Sequence, residues 1–574
     1  MKKSLYMMIL LALSCLLPQA KAQYPQWFAD AKLGIMVHYG LYSIPSYSGR
    51  EQYAEWFYKG LVSNDTQRIL FQQRVYGNDF GYFDYMPLFK AELFGAEQWM
   101  RLFKRAGARY FVFTTKHHDG FCLYPSKYTH YNVMNTPAKR DMVGELCQAA
   151  HREGLRVGLY YSLTEWTNPL FRWTVDQDTA MLENYVTRHM LPQFKEIVDH
   201  YRPELIFADG DWDFTARQLH ASEMTCYHKA VVGNDAIANN RMGKDWDQGY
   251  LTPEYSSGIN ETQRPWAECR SIARSFGLNR ASPLEDYQSA DQLIGHFAQL
   301  VSMGGGLMLN VSPSADGSIP LLQQERLLEL GEWLSVNGEA IYGARSAGIP
   351  MQTRQETRHR VDSVILFDWV RNGPWPHATE DHFQITWDGT LQVEGNGDYL
   401  FLLDADDSAT LTVVGRGATH KADTVMQATA TKDAPLRRAV RLKAGCYQVC
   451  VRYSECDIDA SCSLLCAVNG QPAAPMKSAT GWQAEITWQA PEVCFTANNG
   501  YLYAIALQPL GNSIVVPCPA DEGHTDIAVA SLLGCDKPLP CSRRGDRLVV
   551  DLSSLSPRDI VSQHAWVFRI GGRH

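Results

Sequence analysis

Five short apolar runs in the first 245 residues each stop at a cluster of polar side chains. Residues 33–37 give way to His38-Tyr39-Gly40, and 110–115 to Lys116-His117-His118-Asp119; 157–161 lead to Glu165-Trp166, 205–208 end at Asp209-Gly210-Asp211, and 236–238 at Asn239-Asn240-Arg241. Apolar runs without polar alternation are the pattern of parallel strands covered on both faces. Chemistry collects where such strands pass into loops. Helical stretches such as 96–105 and 321–334 lie among them, so residues 23–345 read as βα repetition closing into a barrel, with its last strand at 306–313. Beyond residue 342 short alternating strands broken by Gly, Asp and Pro replace the helical period, which predicts β-sandwiches. The expected fold class is α/β, a (β/α)8-like TIM barrel followed by β-sandwich domains.

At 574 residues the chain needs more than one core. With 45% hydrophobic and 20% charged residues it is neither disordered nor fibrous. A net charge of −9 without long runs argues against nucleic acid or anionic membrane as partner. The 28 Tyr and 15 Trp suit stacking on sugar faces, and equally fill large cores.

Lys2-Lys3, an apolar stretch over 5–17 and Ala20-Lys21-Ala22 before Gln23 have the order of a secretory signal peptide over 1–22. Export to the periplasm or the extracellular space is the expectation. Leu13-Ser14 before Cys15 makes a poor lipobox, so lipoprotein anchoring is the weaker reading, and no run approaches the ~20 residues of a transmembrane helix. Of 14 cysteines, all but Cys15 remain after cleavage, an odd number that leaves at least one without an intramolecular partner. Cys446, Cys450, Cys456, Cys462 and Cys466 crowd the second half, and no C-x-x-C pair suggests zinc. Cys122, Cys147, Cys226 and Cys269 are expected as buried free thiols.

Trp27-Phe28-x-Asp30-Ala31-Lys32-x-Gly34-Ile35-x-x-His38-x-Gly40-Leu41-Tyr42-Ser43, Lys116-His117-His118-Asp119-Gly120-Phe121, Arg140-Asp141, Asp209-Gly210, Gly304-Gly305-Gly306-Leu307-Met308-Leu309-Asn310-Val311 and Asn337-Gly338-Glu339-Ala340-Ile341-Tyr342 together resemble the α-L-fucosidases of glycoside hydrolase family 29. The resemblance covers most of 24–345 and resumes over 495–516, where the sequence is similar to that family's carboxy-terminal sandwich. It implies an exo-acting retaining enzyme that takes terminal α-L-fucose from glycans and needs no cofactor or metal.

Retaining glycosidases need one carboxylate to attack the anomeric carbon and a second carboxyl to protonate the leaving oxygen. Asp209, at the end of a buried run and followed by Gly210, is the nucleophile candidate. For the acid/base, Thr252-Pro253-Glu254-Tyr255 resembles one arrangement found in the family and favours Glu254. In the other arrangement a Glu directly follows a Trp, but here Trp266 is followed by Ala267, with Glu268 one residue late; Glu268 and Glu261 are reserves. The resemblance places His38, Glu55, Trp56, His117, His118, Tyr161 and Arg241 as sugar-binding residues. Metal ligation by His117-His118-Asp119 is the competing reading, and it requires the strand to have ended before them. Tyr39 stands where a Trp is common in the family.

Residues 346–490 exceed what the family core requires. Trp387-Asp388-Gly389, the stretch 397–411 and Leu442-x-Ala444-Gly445-x-Tyr447 look like the protective-antigen-type sandwich found beside many carbohydrate enzymes. Asp406-Asp407 either hold calcium or brace a turn. Residues 491–574 complete the chain as the carboxy-terminal sandwich. Two alternatives stand beside the fucosidase reading: a catalytically degenerate carbohydrate-binding protein, motivated by Ala267, and a sibling specificity such as α-L-galactosidase.

Overall fold

The computed structural model describes residues 24–571 apart from 50–51, 173–178, 257, 260–262, 370–372, 376–377, 379–381, 417–421, 457–459, 510, 518–528 and 536. The signal peptide expected over 1–22 and the reserve residue Glu261 lie outside the described residues.

Seven parallel strands make one sheet: β1 Leu33–Val37, β2 Tyr110–Lys116, β3 Arg156–Ser162, β4 Leu205–Asp209, β5 Ile237–Ala238, β6 Ala267–Ser271 and β7 Gly306–Val311. Their spatial order is β5-β4-β3-β2-β1-β7-β6, which leaves β5 and β6 at the two edges. The segment 250–255 joins those edges. On one side Tyr250 N donates to Ala238 O at 3.1 Å, and on the other Ala267 N donates to Leu251 O at 3.1 Å and Cys269 N to Pro253 O at 2.8 Å. A short irregular stretch therefore completes the TIM-like ring, and it carries Glu254.

Alternation along the strands sorts their side chains into two cores. Met36, Val112, Tyr160, Phe207, Cys269 and Met308 pack together inside the ring, while Ile35, Phe113, Leu159, Tyr161, Ala208 and Leu309 pack outward with the helices. Local chemistry starts and stops those helices. Asp141 accepts from Gly144 N at the head of Met142–Glu153, and Gly154 ends that helix at φ 68°; Ser289 and Gln292 form a capping box for Ala290–Ser302. The helix expected at 96–105 is Ala96–Arg105, and that expected at 321–334 runs on to Asn337.

Two strands differ from expectation. The fifth run supplies only Ile237–Ala238. β6, with the polar sequence AECRS, has no apolar run at all, yet every residue in it is buried. Glu268 and Arg270 face the helix layer and form an ion pair, 2.9 Å apart. A buried pair of charges thus takes the place of two apolar side chains, and the hydrophobic pattern disappears from the sequence.

The inserted module is two antiparallel sheets packed around Trp387, Trp482, Phe383, Phe401, Leu403, Val451 and Leu464. Asp406 accepts from Tyr453 Oη at 2.7 Å and Ser461 N at 2.9 Å, and Asp407 accepts from Cys456 N, so both carboxylates brace the loop between Ser454 and Ser461. A strand of 22 residues, Lys477–Asn498, belongs to two sandwiches. It pairs with Gln352–Val364 and Phe383–Val393 along its first part and with Tyr501–Ala506 at its end. Ala490 packs into the module core and Val493 into the carboxy-terminal one. That last sandwich docks on the barrel through Cys494, Tyr503, Ile505 and Val567, and Trp333 Nε1 donates to Ala565 O at 2.9 Å. Cys122, Cys147 and Cys269 are buried free thiols, whereas Cys226 is exposed.

Helices Ala96–Arg105 and Leu321–Asn337 meet at Gly331, where a Cβ would overlap the Arg105 carbonyl and stand 2.9 Å from Ala106 Cα. Gly331→Ala gains up to about 1 kcal/mol of helix propensity but overpacks backbone that cannot rotate away, a cost of about 1–3 kcal/mol. Thermal unfolding should show a lower Tm for this variant. An unchanged or raised Tm would mean that the helices part freely.

Candidate active site

The polar groups that follow the strands meet at the carboxyl ends of the ring, around a cavity of about 200 Å³. Asp209 closes β4. Its Oδ2 accepts from Tyr160 Oη at 2.7 Å and pairs with His118 Nε2 at 3.3 Å, and its Oδ1 accepts from Arg241 Nη1 at 3.3 Å. The next residue must be glycine on two counts. Gly210 sits at φ 93°, and a Cβ there would run into Thr164 Oγ1 and come within 2.9 Å of the His118 ring.

Arg241 is fixed by Thr252, whose Oγ1 and carbonyl oxygen each accept from it at 2.9 Å, and it lies over the Phe207 ring at 5.3 Å. Its Nη2 donates to Glu254 Oε2 at 3.1 Å. One guanidinium therefore holds both carboxyls, and Tyr53 Oη donates to the other oxygen of Glu254. Burial alone would raise Asp209, but the His118 hydrogen bond, the charge of Arg241 and the Tyr160 hydroxyl outweigh it and hold the carboxyl well below the ordinary carboxylate range. Glu254 moves the other way. Burial raises it, Arg241 opposes, and the charge of Asp209 adds to the rise. The site thus contains one carboxyl biased to be ionised and a neighbour biased to keep its proton.

His38 and His117 line the same cavity. His38 Nδ1 lies 2.7 Å from Asn310 Oδ1, while Asn310 Nδ2 is committed to Phe276 O at 2.7 Å. The amide oxygen is the acceptor, so Nδ1 carries the proton and Nε2 is left for a ligand. Burial lowers His38 to about 4 and His117 well below its ordinary value, so both rings are neutral at pH 7. The two adjacent histidines differ in role: His117 stacks on Tyr160 with rings parallel within 8°, while His118 stacks on Trp166 at 4.6 Å and backs Asp209. Among the described residues no group of three His, Cys, Asp or Glu has the arrangement to hold a metal ion. Glu55, in the short turn Ala54–Trp56, accepts from Gly277 N at 2.7 Å and Ser275 Oγ at 3.1 Å; burial nevertheless raises it to about 7. Trp56 and Trp212 close one wall, 5.6 Å apart.

Of the residues expected from sequence, Asp209, Glu254, His38, Glu55, Trp56, His117 and Arg241 line the cavity, and His118 holds Asp209 from behind. Tyr161 does not reach it. Its hydroxyl donates to Met190 O at 3.0 Å and Gln193 Oε1 at 2.9 Å in the helix layer, and its neighbour Tyr160 takes the place at the site, because successive strand residues point to opposite faces. Glu268 faces away as well. Its oxygens accept from Arg270 Nε at 2.9 Å and Ser256 N at 3.0 Å and pair with His296 Nε2 at 2.6 Å. Tyr53, Phe207, Trp212 and Phe276 also line the cavity and went unpredicted. Phe207 was legible from register, two residues before Asp209 on the same strand face; Tyr53 and Phe276 come from loops that carry no periodic signal.

Residues 17–339 match a family model described as Alpha-L-fucosidase, 340–468 one described as PA14 domain, and 487–571 one described as Alpha-L-fucosidase C-terminal domain. The chain is 36% identical over 335 residues to an α-L-fucosidase of Dictyostelium discoideum, covering 56% of this chain and 72% of that one. It is 34% identical to the human tissue α-L-fucosidase over 363 residues, covering 61% and 77%. In fold it is similar to a Thermotoga maritima α-fucosidase solved with fucose, at a TM-score of 0.62 and 24% identity over 96% of this chain and 97% of that one. An α-L-fucosidase GH29 from Bacteroides thetaiotaomicron gives a TM-score of 0.62 at 20% identity, covering 97% of each chain.

Glu268 generates a stability prediction. Burial would raise its carboxyl, but Arg270 and His296 outweigh that and hold it down to about 2 from its ordinary 4.5. A lowered carboxyl contributes stability that is complete above 4.5 and is lost as pH falls from 4.5 towards 2. Glu268→Gln should cost about 3 kcal/mol at pH 7 by removing the buried negative charge that faces Arg270 and His296, and the difference from wild type should shrink by pH 3. Denaturant unfolding at the two pH values checks this; a pH-independent difference contradicts it.

Proposed function

The chain belongs to the α-L-fucosidase family of glycoside hydrolases, and we propose that it is an exo-acting retaining enzyme that releases terminal α-L-fucose from glycans, with Asp209 as nucleophile and Glu254 as acid/base. The observation that carries the proposal is the single guanidinium shared by two carboxyls of opposite bias. Two hydrogen bonds to one fork, 3.3 and 3.1 Å long, keep the facing oxygens within about 9 Å, a limit that admits the ~5–5.5 Å of a retaining pair.

Asp209 attacks the anomeric carbon as the bond to the leaving oxygen breaks, and the Glu254 proton goes to that oxygen. Glu254, now ionised, takes a proton from water; the water oxygen displaces Asp209, and fucose leaves with its original anomeric configuration. The two carboxyls supply both roles, so no metal is needed for either step. As negative charge passes from Asp209 to Glu254 in the first step, the pull of Arg241 weakens on Asp209 and strengthens on Glu254. Tyr160, His118 and Arg241 keep Asp209 ionised and aimed.

The walls favour a 6-deoxy sugar. Met36, Phe207 and Phe276 form an apolar side where a methyl group fits and a hydroxymethyl would bury an unpaired hydroxyl; the α-L-galactoside alternative is disfavoured on that ground. His38 Nε2, His117 and Glu55 supply partners for the ring hydroxyls, and Trp56 covers an apolar edge. A closed floor and room for one ring suit a chain-end sugar. The amino-terminal Lys2-Lys3, apolar stretch and Ala20-Lys21-Ala22 support export to the periplasm or beyond the cell, and among the described residues no helix is long and apolar enough to cross a membrane. Ala267, which motivated a degenerate carbohydrate-binding reading, is no obstacle, since Glu254 stands beside Asp209 without it.

Asp209→Ala should abolish turnover of fucosyl glycans, and azide added to it should yield β-L-fucosyl azide. Product anomers followed by NMR should appear first as α-L-fucose; first appearance of the β anomer would overturn retention. Glu254→Ala should lose about 10²–10⁴-fold on glycans and far less on an aryl fucoside with an acidic phenol. Activity needs Asp209 ionised and Glu254 protonated, so the acid limb of the rate profile should lie below the ordinary carboxylate range and the alkaline limb above it. The alkaline limb should vanish in the Glu254 variant assayed on the activated substrate.

A further inference from the structure

The cavity has one open wall. Of the described residues lining it, Trp212 alone is exposed, at 40%, whereas Met36, His38, His117 and Phe276 are each 5% exposed or less. Asp209, Arg241 and Glu254 lie between, their side chains 13%, 17% and 25% exposed. The floor therefore encloses the sugar that is cut off, the carboxyls stand at the level of the scissile bond, and what lies beyond that bond emerges at the level of Trp212.

Trp212 is also rigidly held. Its ring lies 5.6 Å from Trp56 at 49° and 5.1 Å from His118 at 47°, and Trp56 in turn packs edge-on against Trp166 at 5.2 Å. An indole fixed by neighbouring rings yet open to solvent offers a flat apolar face at no ordering cost. Pyranose rings carry a complementary face of C–H groups.

The geometry points to Trp212 as the platform for the leaving-group side of the substrate, stacking on the sugar ring to which the fucose is joined. This rests on the fucosidase reading above and extends it to the part of the glycan outside the pocket. Trp212 thus sets preference among glycans.

The test uses the full-length protein and two substrates. One is α-L-fucosyl fluoride, whose leaving group has no ring, and the other is α-L-fucose linked to galactose. Trp212→Ala should lower kcat/KM on the disaccharide by on the order of tenfold more than on the fluoride. The loss should fall mainly on KM, and Trp212→Phe should restore most of it. Equal losses on the two substrates, or a loss confined to kcat, would overturn the inference, because Trp212 would then be a wall of the fucose pocket or a prop for His118. Wild-type protein that cleaves neither substrate would sink the fucosidase reading itself, and this inference with it, before any variant is made.

Discussion

The site depends on one guanidinium placed between two carboxyls. Two carboxylates at this separation repel each other, and burial penalises both. Arg241 relieves the repulsion, and the two groups still part in acidity: His118 and Tyr160 join Arg241 in holding Asp209 ionised, whereas burial and the charge of Asp209 raise Glu254. Around that pair the rest of the site follows: Thr252 locks the arginine, Phe207 lies under it, and Trp166 holds the ring of His118.

Barrel architecture explains how one arginine can reach both groups. Arg241 stands three residues beyond the end of β5 and Glu254 on the stretch that spans β5 to β6, so the arginine and the acid come from adjacent positions in the ring. Asp209 ends the strand on the other side of β5. Thr252 and Glu254, two residues apart on that stretch, both address Arg241.

Much of this was legible in the chain. β1 to β4 and β7 carry continuous apolar runs, and Asp209, His38 and His117-His118 sit where those runs end. β6 was invisible because its outward positions hold Glu268 and Arg270, a buried ion pair that reads as surface. The resemblance puts Tyr161 at the site, whereas Tyr160 is the residue that lies there; the inward face of β3 is fixed by pairing with β4, where Tyr160 lies opposite Phe207. Tyr53 and Phe276 come from connections whose paths are set by tertiary contacts alone. Glu254 is singled out in the sequence through a resemblance, since nothing local marks it as buried.

The 22-residue strand shared by the two sandwiches works as a continuous beam. A module joined through a linker swivels and samples many orientations, whereas one built on an extension of a neighbour's own strand has a fixed bearing. The module's surface therefore keeps a constant direction and reach relative to the adjoining sandwich. Excising the module means cutting into the strand that completes the adjoining sheet.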